Sequence, residues 1–143
     1  MPIDADLRTR IRALVADYLD GQPLPTDLTT EPVAIRAGTA VVYLRLVDAE
    51  PPVVRVFSPL LRHLPRSAEL LDELNDLNAR LSFVRLFWRD ETVFTATELL
   101  AETLTAPEFG HACDCVADTA DYYDVRLHAR FGGDIAFAER RPG

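Results

Sequence analysis

The chain has 143 residues, 48% of them hydrophobic and 27% charged, proportions that suit a folded domain with a sizeable core and exclude a disordered one. Its net charge of −8 argues against general affinity for nucleic acid or anionic membrane. No apolar run approaches the roughly 20 residues that cross a bilayer, and the acidic, polar start MPIDADLRTR lacks the character of a secretory leader, so the expected compartment is the cytoplasm.

The first element expected is a helix over about Asp4 to Asp20. Leu7, Ile11, Leu14, Val15 and Tyr18 recur at steps of three and four, with Arg8, Arg10, Arg12 and Asp17 largely off that stripe. Gly21 suits the position after a helix end, and Pro23 forbids continuation, so 22–30 reads as a loop. Three strands follow, at Pro32–Arg36, Ala40–Val47 and Val53–Phe57. Ala37-Gly38-Thr39 suits a hairpin turn between the first two. Asp48 to Pro52 separates the second from the third, and Ser58-Pro59 closes the third.

After a connection over Leu60–Arg66, Ser67 is the expected N-cap of a second helix, with Glu69 suiting the dipole of its first turn. Leu70, Leu71, Leu74, Leu77, Asn78 and Leu81 form its inner stripe. The period then changes to two. Phe83, Arg85, Phe87 and Arg89 alternate with Val84, Leu86 and Trp88, Asp90-Glu91 is the polar break, and Val93 to Thr97 resumes a strand composition. A tight antiparallel hairpin is the economical reading, although it lacks the glycine that such turns favour. The last helix is expected from about Pro107 to Phe131. Thr105 and Glu108 have capping-box spacing, Phe109, Ala112, Val116, Ala120, Tyr123, Leu127 and Phe131 mark the buried side, and Gly132-Gly133 is the stop. Residues 134–143 show no clear pattern and read as a tail, with Ile135 and Phe137 as the residues that could dock it.

The predicted order is therefore α-β-β-β-α-β-β-α, an α+β fold whose antiparallel sheet packs against helices. This order resembles that of the YbjN-like proteins, which are similar in fold to the type III secretion chaperones. The resemblance is carried most clearly by LLDELNDLNARLSFVRLFWRDETVFTATELL, residues 70 to 100, with its paired steps Leu74-Asn75 and Leu77-Asn78, its aromatic hairpin, and Glu98-Leu99-Leu100. It implies a single domain over residues 1–133 and a non-enzymatic, chaperone-like module that binds a protein or peptide client and acts as a homodimer.

Nothing in the sequence calls for catalysis. Phosphate-loop, HExxH, CxxC and nucleophile-elbow motifs are absent. His111 and Cys115 share a helix face near Asp114 and Asp118, but a metal site needs more converging ligands, so no metal or cofactor is expected. Cys113 and Cys115 are two apart on that helix, point in divergent directions, and read as free packing thiols rather than a disulfide.

The informative surface is on the sheet. Strand parity sends Val42, Leu44, Leu46, Val54, Val56, Val84, Leu86, Trp88, Phe94 and Ala96 toward the helices. The other face is then expected to carry Tyr43, Arg45, Val47, Val53, Arg55, Phe57, Phe83, Arg85, Phe87, Arg89, Val93, Thr95 and Thr97. Arginine mixed with aromatic rings is the composition of interaction hot spots. All 15 basic residues are arginine, as a GC-rich genome would dictate, yet four of them fall on this face of an acidic protein. Tyr43, Arg45, Arg55, Phe57, Phe83, Arg85, Phe87 and Arg89 are the candidate partner-binding or dimer face. The alternative is a stacking platform for single-stranded nucleic acid, which uses the same side chains. A third account is structural: the arginine stems simply cover their apolar neighbours.

Overall fold

The computed structural model describes residues 4–19, 32–37 and 40–137. The expected stop at Gly21 and Pro23, the loop that follows it, the Gly38-Thr39 turn and residues 138–143 lie outside the described residues. In chain order the elements are α1 (Ala5–Leu19), β1 (Val33–Ala37), β2 (Ala40–Val47), β3 (Val53–Arg62), α2 (Ala68–Arg80), β4 (Arg85–Arg89), β5 (Thr92–Leu100), α3 (Ala106–Phe131) and β6 (Asp134–Ile135). All strand pairings are antiparallel, in the order β1-β2-β3-β5-β4, with β6 added beside the far end of β3. The α+β order read from the sequence is present, extended by this sixth strand.

The helices form where their caps and apolar stripes predict. Leu70 N–H donates to the Ser67 hydroxyl at the start of α2, and Thr105 with Glu108 makes the full capping box of α3. At about 1.5 Å per residue, the 26 residues of α3 run for about 39 Å along the sheet and join two apolar clusters. In one, Ile11 and Val15 of α1 meet Val42, Leu44, Val54 and Val56 of the sheet and Phe109, Cys113 and Val116 of α3. In the other, Leu70, Leu74 and Leu77 of α2 meet Leu60, Leu61, Leu86 and Val93 beneath Ala120 and Leu127. The leucine helix thus packs on the Trp88 side of the hairpin, and the indole N–H of Trp88 donates to the Leu64 carbonyl at 2.8 Å. Asn78 ties α2 to β4: its side chain donates to the Leu86 carbonyl and accepts from the Leu86 N–H, both at 2.8 Å. Arg10 spans from α1 to the turn before α3, donating to the carbonyls of Ala101 and Leu104.

The structure corrects the parity of β5. Arg89 pairs with Thr92, Phe87 with Phe94 and Arg85 with Ala96, so Phe94 and Ala96 share the face of Phe87 rather than that of Leu86. Val93, Thr95 and Thr97 point to the helices and are buried. The cause is the turn. Asp90 and Glu91 both take positive φ, 50° and 59°, making a two-residue loop of the type that fits strand twist. Placing Phe94 on the face of Leu86 requires a three-residue turn, and a one-residue slip exchanges the faces.

Phe83 is the second correction. It precedes β4 with φ of 76°, and Val84 N–H donates to the Ser82 carbonyl across it at 2.9 Å, a γ-turn that breaks the alternation. Its ring lies at 5.2 Å from that of His111 on α3, away from the arginine face.

β3 is the third. It continues beyond Phe57 to Arg62, through Pro59. Extending the register of β2 with β3 sets Pro59, which has no N–H, opposite Val41, and the buried Ser58 hydroxyl donates to the Val41 carbonyl at 2.8 Å instead. An irregularity between Pro59 and Leu61 then shifts the register against β5.

Asp134–Ile135, expected as the start of a tail, pairs with Arg62 and Leu61, and Phe137 is buried. Gly132 and Gly133 make the bend with φ of 86° and 75°, and a Cβ on Gly133 would stand 3.0 Å from the Arg62 carbonyl.

Thr95 and Thr97 provide a test of the inverted face. Thr95 is fully buried and its hydroxyl has no hydrogen-bond partner, whereas the Thr97 hydroxyl donates to the Phe83 carbonyl at 2.9 Å. Thr95→Val is expected to stabilise the fold by about 1 kcal/mol, and Thr97→Val to destabilise it by about the same amount. Urea denaturation of both variants measures this. Changes of the same sign would contradict the assignment.

Candidate functional site

Among the described residues, no helix covers the second face of the sheet. β2, β3, β5 and β4 lie side by side there, and every second residue points away from the helices. Four rings form a continuous row across these strands. Tyr43 stacks on Phe57 at 5.6 Å, Phe57 meets Phe94 edge-on at 6.4 Å, and Phe94 stacks on Phe87 at 5.3 Å. All four are half-buried, each covering part of its neighbour.

The charged side chains stand beside this row. Arg45 faces Arg55 across β2 and β3, and Arg55 faces Glu98 across β3 and β5. Glu98 Oε1 accepts from Arg85 Nη2 at 2.5 Å and lies 3.5 Å from Arg55 Nε. Arg55 Nε is itself buried with no hydrogen bond. The Arg85 guanidinium sits 5.5 Å from the centre of the Phe87 ring. At the turn Arg89 lies 3.7 Å from Asp90, both highly exposed.

A trough of 440 Å³ runs along this face, and its walls include Arg45, Arg55, Phe57, Arg85, Phe87 and Phe94. A second depression of 260 Å³ adjoins it over Tyr43, Phe57, Pro59, Arg62 and Phe94. Seven of the eight residues singled out from sequence are brought together on this face, and Phe83 is not. Sequence reasoning missed Phe94, the ring that makes the row continuous. It also missed Arg62, which reaches this side beyond the irregularity in β3, and Glu98, the carboxylate between the arginines. Counting the turn as two residues would have found Phe94.

What the arrangement can do is hold an extended chain. The apolar row offers area, and guanidinium groups offer charge-assisted, often bidentate hydrogen bonds to carboxylates. At about 4.8 Å between strands the row is about 14 Å long, the span of four or five extended residues.

The other candidate cluster, on α3, is a packing arrangement. Cys115 Sγ lies 3.4 Å from His111 Nε2, and His111 carries Phe83. Both cysteines are free. The Cys113 thiol is pushed up from 9.0 to about 12 by burial and the neighbouring Asp114, the opposite of a reactive thiolate. No group of residues suited to a metal ion occurs among the described residues, and none of their helices is long and apolar enough to cross a membrane.

One face of the antiparallel sheet thus carries a trough lined by rings and arginines. The chain belongs to the TY-Chap1 family, described as T3SS (YopN, CesT) and YbjN peptide-binding chaperone 1, whose model matches residues 5–139. Its fold is similar to that of a chain in the crystal structure of the ExsC–ExsE complex. The two superpose with a TM-score of 0.69 at 16% identity, over 87% of this chain and 97% of that one. Among curated proteins, no match was found.

Proposed function

We propose that this protein is a non-enzymatic chaperone whose arginine-aromatic sheet face holds an extended client segment bearing Asp or Glu beside apolar anchors. The observation that carries the reading is the unbroken row Tyr43–Phe57–Phe94–Phe87 flanked by Arg45, Arg55, Arg85 and Arg89. Rings at the centre of such a patch supply most of the affinity, and the arginines select for acidic neighbours. The family's peptide-binding description supports a peptide client. A nucleic-acid platform gains no support from the family, and the net charge of −8 weighs against it. Capture of a partner from native lysate by the wild type and by a Phe87→Ser/Arg85→Glu variant tests the proposal.

We further propose a homodimer, formed away from this face. A two-fold contact buries the same patch on both copies, and closing two such faces would cover the arginine-aromatic row that the client needs. The outer side of α3 suits the contact better: Tyr122 and Val125 are about half exposed there, beside the Arg130–Glu73 ion pair and Arg126. Light scattering at micromolar concentration is expected to give twice the 16.0 kDa chain mass, and Val125→Glu to reduce it. A monomer mass that does not change on concentration would end this idea.

A further inference from the structure

On the client-binding reading above, the Glu98 carboxylate occupies the place that a client carboxylate would take. A single oxygen, Oε1, serves both Arg85 Nη2 and Arg55 Nε. The second contact, at 3.5 Å, is too long to satisfy a donor that is otherwise buried and unbonded. Glu98 is therefore an under-strength counterion, bonded to Arg85 and short of satisfying Arg55.

We infer that Glu98 is an internal competitor for the client's acidic group: it keeps Arg55 and Arg85 in place, and a client carboxylate displaces it by offering the second hydrogen bond. Segments without an acid cannot make this exchange, so Glu98 sets the threshold of selection. An exposed ion pair gives little stability of its own, and Glu98 is about one-third exposed. Its effect therefore falls on binding more than on folding.

The probes are a fluorescein-labelled nonapeptide alternating aspartate with leucine, and its asparagine counterpart, followed by anisotropy with wild type, Glu98→Gln and Arg85→Glu. Glu98→Gln is expected to bind the aspartyl peptide about threefold to tenfold more tightly than wild type, the scale of one or two released exposed ion pairs. Raising the salt concentration should erase that gain. The asparaginyl peptide should gain less from Glu98→Gln than the aspartyl peptide does, and Arg85→Glu should lose the aspartyl peptide. If Glu98→Gln binds the aspartyl peptide equally or more weakly while Arg85→Glu still loses it, the competitor role is overturned and the client face stands. If Arg85→Glu binds as wild type does, or wild type binds neither peptide, the client face itself fails and the competitor role with it.

Discussion

Replacing Phe87 with serine and Arg85 with glutamate is expected to leave the fold in place and abolish capture of the partner. In the isolated protein Phe87 stacks on Phe94, Arg85 makes an exposed ion pair with Glu98, and the Arg85 guanidinium lies over the Phe87 ring. Such contacts are worth about 0.5–1.5, 0.2–1 and 0.5–1 kcal/mol in turn. Their loss is a small part of a domain stability of about 5–15 kcal/mol. Binding is affected far more. Truncating a central ring costs about 2 kcal/mol or more, and reversing a charge that faces an acidic client costs several more. Together these amount to roughly a thousandfold in affinity. Circular dichroism, thermal melting and a pull-down on the same preparations read out both halves. Unfolding of the variant would show that the face is part of the core. A folded variant that still captures its partner would place the site elsewhere, most directly on α1.

Leu74→Ala is expected to cost about 2–5 kcal/mol in urea denaturation, as truncations of buried leucine do. Leu74 is 3% exposed, at the centre of the α2 stripe, between Leu70 and Leu77 and over Leu86 and Val93. Its neighbours belong to two strands and a helix, so the cavity has little freedom to collapse. A loss below about half a kcal/mol would remove α2 from the core.

How much of this was legible in the sequence depended on the range of the signal. α2 and α3 could be read because each repeats its apolar side chains over several turns and begins at a cap, Ser67 or Thr105, that acts within three residues. The open face was legible on β2, where buried and more exposed residues alternate from Val42 to Val47. It failed on β5 because register there is fixed by the number of turn residues, and Asp90-Glu91 adopts left-handed backbone without the glycine that would have announced it. It failed at Phe83 because a single γ-turn resets parity. It failed at β6 because two residues carry no period, and only their pairing with Leu61 and Arg62 defines them as a strand. The Arg55–Glu98–Arg85 cluster could not have been read at all before the β3–β5 pairing was known, since its members lie on three different strands.

The Asn78 side chain has a consequence for how this sheet meets other chains. Among the described residues β4 is one of the two edges of the sheet, and the Leu86 N–H and C=O that point outward from it are both taken by one amide. A strand arriving from a client, or from another copy of the protein, finds that rung of the ladder already occupied. Joining at β4 would first require breaking two hydrogen bonds within the protein. Edge-to-edge polymerisation through that side is discouraged by the same two bonds. On this side of the sheet, the client segment proposed above would be held by its side chains on the open face rather than by its backbone at the edge.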